Sequence, residues 1–183
     1  MQLYLGTLTR YYTSVKPLED ADEEIVAGAV SAWRHWLNKE LPYALDWDES
    51  PTAPFDTTDV GEKDIAALRV LATSEISKLP PRVPDSWQHE AGIGDYPQVT
   101  QPTLWLPGVN ELVFQARELS EDMTWVGSSV QLLHELDAIQ RKWKHDLRKH
   151  TEFAECLARV VATLTRMARR SLEYRLPLRL NRG

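Results

Sequence analysis

The sequence predicts an α+β domain, a mostly antiparallel sheet with about four helices packed on one face. Three observations predict it. Between Thr103 and Lys149, strand, turn and helix signals follow one another without a gap. Three further segments carry an apolar period of three and four residues, and the first twelve residues are rich in the Leu, Thr and Tyr that suit a pleated, half-buried surface. With 183 residues and 43% hydrophobic content, the chain is sufficient for a single globular domain over 1–183.

Leu3-Tyr4-Leu5 opens a strand that runs to Tyr12, with a bulge or close backbone approach at Gly6 and with Arg10 on the side of Leu8 and Tyr12. Arg10 there is either an anion contact or the partner of a carboxylate at the core edge. Pro17 lies in a connector, after which Asp20, Asp22, Glu23 and Glu24 sit where a helix N-terminus favours negative charge. Val26, Ala29/Val30, Trp33 and Leu37 carry that helix to about Leu41, Pro42 ends it, and His35 falls off its apolar stripe.

Tyr43 to Glu49 alternates Leu45 and Trp47 with Asp46 and Asp48, which predicts a short strand with both carboxylates on one face. Such a pair can divide acid and base roles or hold a hard cation, or it can be the wet face of a strand. Thr57-Thr58-Asp59 then offers N-caps for a helix through Ile65, Leu68, Leu71/Ala72, Ile76 and Leu79, stopped by Pro80-Pro81. From there to Gln101 the chain reads as a long strap. Within it Trp87 and His89, beside Glu90, can line a binding pocket or anchor the loop, and Gly92-Ile93-Gly94-Asp95 lacks the third glycine and the helix of a phosphate cradle.

Leu104 to Leu106, Leu112 to Glu118 and Met123 to Gly127 read as a three-strand meander. A loop of Ser120, Glu121 and Asp122 sets Arg117 opposite Trp125 and Ala116 opposite Val126, with the Arg117 guanidinium over the Trp125 ring. Ser128 with Gln131 has capping-box spacing, and the helix behind it, through Val130, Leu133, Leu136, Ile139/Gln140, Trp143 and Leu147, is expected to seal the Phe114 side of the meander. Thr151 begins a last helix through Phe153, Leu157, Val160/Val161, Leu164, Met167/Ala168 and Leu172, wide enough in its apolar stripe to be central.

Charge divides the chain. Residues 1–140 hold 9 Lys and Arg against 23 Asp and Glu, a net −14; residues 141–183 hold 12 against 4, a net +8. Either the basic helix and tail fold onto the acidic part, or one of them is kept for an oppositely charged partner. Catalytic spacings fail where they begin: His134-Glu135 has Ala138 where a zinc protease needs its second histidine, His145 and His150 fall on different helix faces, and no G-x-S-x-G, Walker A or C-x-x-C occurs. No cofactor and no metal is expected. The lone Cys156 and the lack of a leader or an apolar span favour the cytoplasm and no membrane.

These residues read as a cytosolic protein-binding module of bacterial type, an immunity or regulatory protein whose acidic surface meets a basic partner, with binding residues drawn from Asp46, Asp48, Arg10, Trp87, His89, Arg117 and Trp125. One alternative is a small enzyme using the Asp46/Asp48 pair. Another is nucleic-acid binding through the arginine-rich tail, which the acidic whole and the single Tyr174 disfavour. The sequence sets no oligomeric state.

Overall fold

The computed structural model describes residues 1–19, 22–85, 94–108, 111, 113–120 and 122–181, with Ile76 described in its backbone only. Its strands are β1 (Gln2–Leu5), β2 (Asp56–Asp59), β3 (Leu104–Leu106), β4 (Phe114–Arg117), β5 (Met123–Ser128) and β6 (Leu178–Asn181). Its helices are α1 (Leu8–Arg10, running into a π-helical turn over Tyr11–Val15), α2 (Glu23–Glu40), α3 (Glu62–Thr73), α4 (Pro97–Thr100), α5 (Ser129–Trp143) and α6 (Thr151–Tyr174). The strands make one mixed, mostly antiparallel sheet in the order β2-β1-β6-β3-β5-β4, in which only β3 and β5 run parallel. The fold is α+β, as read from the sequence.

Strand alternation sorts the side chains into two cores, because successive residues point to opposite faces. Leu3, Leu5, Trp105, Leu178 and Leu180 face α3, α5 and α6. Tyr4, Leu104, Leu106, Ala116 and Val126 face α2, the π-helical turn and the Leu45–Trp47 segment. Four long helices do cover the sheet, but three lie on one side and α2 on the other. Phe114 consequently packs in the α2 core while Leu133 packs in the α5 core, so the expected seal of Phe114 by the helix after Ser128 does not form. Period finds an amphipathic helix and a half-apolar ribbon, but it cannot say which of the ribbon's two faces that helix meets.

The meander is also replaced. β5 lies between β3 and β4, so β3 pairs β5 in parallel instead of pairing β4. The β4–β5 register sets Arg117 opposite Met123, Gln115 opposite Trp125 and Phe114 opposite Val126. That is two residues from the expected pairing, since Glu118 N–H donates to Asp122 C=O at 3.0 Å and closes a longer turn. A two-residue shift preserves the faces, which is why the apolar set of β4 and β5 still holds together.

Three local readings change. The first strand ends at Leu5; Thr7 then caps a helix, its side chain accepting from Arg10 N–H, and the Glu49 carboxylate accepts from Leu8 N–H at 2.9 Å and Thr9 N–H at 3.0 Å. That distant carboxylate, invisible to local propensity, turns a Thr/Tyr-rich segment into a helix start. Residues 43–49 keep the expected alternation, Leu45 and Trp47 buried, but their backbone joins no strand; the Asn38 side chain bonds Leu45 at both N–H and C=O. The edge strand is instead Asp56–Asp59, beside β1, and Gly61 precedes α3 without a side-chain cap. The α2 and α6 readings hold; α5 starts as expected, with Ser128 capping it through Gln131 N–H, but it ends at Trp143, Leu147 lies in a separate 3-10 turn, and Leu132 is buried where Val130 and Leu133 are half-buried.

The C-terminal residues are no tail. After α6, Arg175 takes a left-handed conformation (φ 55°), Ser171 Oγ donates to Leu176 C=O at 2.6 Å, and the chain enters the sheet as β6, between β1 and β3. Deleting residues 173–183 would therefore remove a central strand.

At Gly127 a Cβ would overlap Gln98 Oε1 and lie 2.8 Å from Pro102 Cγ and 3.1 Å from Trp105 Cδ1. Gln98 Oε1 is itself fixed by Ser128 N–H at 2.8 Å, so it has no free direction to yield. Gly127→Ala is expected to cost about 1–3 kcal/mol of unfolding free energy, the range for overpacking a tight core, measured by urea denaturation; an unchanged midpoint would contradict this packing.

Candidate functional site

The most demanding chemistry in the chain is buried under the α2 side of the sheet. β6 register places Arg179 beside Tyr4 of β1 and Leu104 of β3, on the face opposite Leu178 and Leu180. Arg179 is 7% exposed, and its Nη1 donates to Glu118 Oε1 at 2.7 Å. Glu118, 5% exposed, accepts Tyr12 O–H on its other oxygen at 2.6 Å. The guanidinium also lies 4.5 Å from the Tyr11 ring centre. Burial opposes the Arg179 charge, but the Glu118 hydrogen bond and charge outweigh it and raise the Arg179 pKa. Burial first, and then the Glu118 charge, raises the Tyr12 pKa as well. The pair and the tyrosine satisfy one another, and a group locked in that way is a positioning element, with no lone pair turned toward solvent.

The sequence-selected residues do not converge. Asp46 is exposed and flanked by Arg34 at 3.5 Å and by Arg175. Asp48 accepts Ser50 N–H at 2.8 Å, which holds its carboxyl below the usual range. Each carboxylate is taken up by its own neighbours. Arg10 donates to the carbonyls of Ala53 (3.1 Å) and Pro51 (3.2 Å) and lies over the Phe55 ring, so it is a loop clamp. Arg117 is exposed across from Met123, and Trp125 is half-buried across from Gln115. Trp87 and His89 lie outside the described residues. Among the described residues, no group of three or more His, Cys, Asp or Glu side chains is placed to hold a metal ion.

The C-terminal arginines settle on the acidic part of the chain. Arg159 meets Asp64 at 2.7 Å, Arg166 and Arg170 share Asp56, Arg175 meets Asp46 and Arg179 meets Glu118. The first of the two explanations of the charge division therefore accounts for these five. Among the carboxylates left over, Glu19, Asp22, Glu23 and Glu24 gather around the start of α2 and have no cationic partner among the described residues.

The same helix carries the candidate contact face. Ile25, Ala29, Ala32 and Trp36 recur at four, three and four residues, each just ahead of a core residue in the line Val26, Val30, Trp33 and Leu37. One residue is ~100° of helix rotation, so this second apolar line runs alongside the buried one and is left open, with Ile25 58% and Trp36 45% exposed. The expected stripe of Val26, Ala29/Val30, Trp33 and Leu37 is the stronger of the two. The parallel line was readable from the same period, but burial alone separates the two.

Among the carboxylates outside these sites, Glu135 has its acidity weakened by burial. Glu135 of α5 reaches α4, where it accepts Val99 N–H at 2.9 Å, and burial pushes its carboxyl up to about 7. The folded state therefore holds a proton that the unfolded chain releases, and stability falls as pH rises from about 4.5 to about 7. Glu135→Gln is expected to flatten that part of the pH–stability curve in thermal melts; an identical slope in both proteins would count against it.

Removing one member of the Arg179–Glu118 pair, as in Arg179→Met or Glu118→Gln, is expected to cost about 3–5 kcal/mol, because the other charge stays buried and unpaired. The double variant should lose much less than the sum in a denaturation cycle, and additive losses would show the two to be independent. Among the described residues no helix is long and apolar enough to cross a membrane. Comparison with protein-family models, curated proteins and solved structures finds no match, so the reading of this chain rests on its own geometry.

Proposed function

We propose that the chain is a protein-binding module whose contact face is the open side of α2 and whose partner presents basic side chains. The supporting observation is the coincidence of two things on one helix. Ile25 and Trp36, three turns apart, are both exposed apolar anchors, and four carboxylates without cationic partners surround the Ile25 end. Exposed tryptophan in a small apolar patch is the side chain that most often carries binding energy, while surrounding charge selects the partner and speeds encounter. Ala29 and Ala32 between the anchors let another backbone come close.

This refines the acidic surface expected from the sequence. The carboxylates at Asp46 and Asp56 are occupied by arginines of the same chain, whereas the cluster at the start of α2 has no such partner among the described residues. Such a module acts by occupying its partner, as immunity and regulatory proteins do. A cytosolic setting suits Cys156, which is buried and whose thiol burial pushes up to about 11, leaving it a core residue rather than a reactive group.

A basic amphipathic peptide of Lys and Leu, helical by design, is expected to bind the chain in calorimetry, and its Glu/Leu counterpart is not. Trp36→Ala should weaken that binding by about 2 kcal/mol, roughly thirtyfold, as loss of a hot-spot anchor does, and added salt should weaken it further. Equal binding of both peptides, or no effect of Trp36→Ala, would overturn the assignment.

A further inference from the structure

On the other side of the sheet, α5 and α6 leave a groove open along their length. It consists of two hollows of about 430 and 490 Å³ that share Gln140 and Ala158. Its apolar lining comes from Leu157, Val161 and neighbouring alanines, its charged lining is Arg141, Lys144, Arg166, Arg169 and Arg170, and it includes no carboxylate. Lys144 and Arg169 have no ion-pair partner among the described residues, and Arg166 and Arg170 share a single carboxylate, so the groove keeps a positive surplus.

An apolar floor with cations along it calls for an occupant that is apolar along one line and acidic around it. The open side of α2 supplies that line, with its acids gathered at the Ile25 end. The dimensions agree as well: from Ala154 to Arg170 the groove follows α6 for ~24 Å, and Ile25 to Trp36 spans ~17 Å of α2, at 1.5 Å per helical residue. Within one molecule the two surfaces lie on different layers, so they meet only between molecules.

We infer that the basic partner of α2 is the α5/α6 groove of a second copy of this chain, and that the protein self-associates head to tail. The inference rests on the reading of α2 as a contact face. Because the two surfaces differ, each contact leaves one α2 face and one groove unused, so association continues into rings or chains instead of closing as a two-fold dimer. Contact between opposite charges makes it sensitive to salt.

The full chain is tested by sedimentation velocity at low and high salt. Expected are masses above one chain that grow with concentration at low salt and return to one chain at high salt. The α2 variant Ile25→Asp/Trp36→Asp and the groove variant Lys144→Glu/Arg169→Glu alter exposed side chains. Each should be monomeric and should melt like the parent. Mixed in equal amounts they should form a complex that stops at two chains, since each retains one of the two surfaces.

A parent chain that stays monomeric at low salt up to its solubility, or a dimer that survives in either variant, would overturn self-association. If the parent is monomeric yet the Lys/Leu peptide still binds at Trp36, the α2 face stands and only its assigned partner falls. If the peptide fails as well, both fall.

Discussion

The sheet is one sheet because β6 lies in its middle. Without Leu178–Asn181, β2 and β1 would form one two-stranded ribbon and β3, β5 and β4 a separate three-stranded piece, each with an open edge. Strand β6 therefore joins β1 and β2, from the first third of the sequence, to the strands between residues 104 and 128. Its register is set by opposite demands on its two faces. Leu178 and Leu180 must lie under α6 with Leu3 and Leu5, and Arg179 must lie across from them, where Glu118 and Tyr12 can meet it. A slip of one residue would carry the guanidinium into the leucines and lift two leucines out of their core, so both faces reject it.

The charge division follows from the same construction. α6, β6 and the turn between them carry the arginines, and they meet acids of β2, α3, the segment after α2 and the end of β4. Most of these pairs are exposed and individually worth little, of the order of 0–1 kcal/mol. Their effect is to cancel the field of an acidic front against a basic back. Only Arg179–Glu118 is buried, and there removal of one partner is costly. Net charge thus says little about a partner until the internal pairs are taken out, and what remains includes the carboxylates clustered at the start of α2 and the unpaired cations of the α5/α6 groove.

The long helices were legible because each carries its own apolar period: Val26 to Leu37, Leu136 to Trp143 and Phe153 to Leu172 all follow from side-chain spacing, and the Ser128 cap follows from a three-residue offset. What could not be read depends on residues far apart in sequence. Glu49 turns residues 8–15 from strand to helix across forty positions; Arg179 finds Glu118 across sixty. The pairing of β3 with β5, and the side of the ribbon that α5 covers, are decisions of topology. Asp46 and Asp48 were correctly placed on the outside of an alternating segment, but Arg34, Arg175 and Ser50 claim them, and no local pattern announces that. The open line on α2 stands between these cases: its spacing is in the sequence, and its exposure is not.

That line is open for a geometric reason. Six strands at ~4.8 Å span a sheet ~24 Å wide between its outer strands, and helices packed side by side take about 8–10 Å each, so each face has room for about three. On one face α3, α5 and α6 fill it. On the other stands α2 alone, with the π-helical turn and the Leu45–Trp47 segment closing what they can. A helix with neighbours on both flanks would bury a stripe wider than one line of residues; α2 buries Val26, Val30, Trp33 and Leu37 and leaves Ile25 and Trp36, on the flank where a neighbour would lie, in water. The exposed anchors are thus the unoccupied side of an incomplete layer, and a partner helix seated there would extend the layer the chain itself begins.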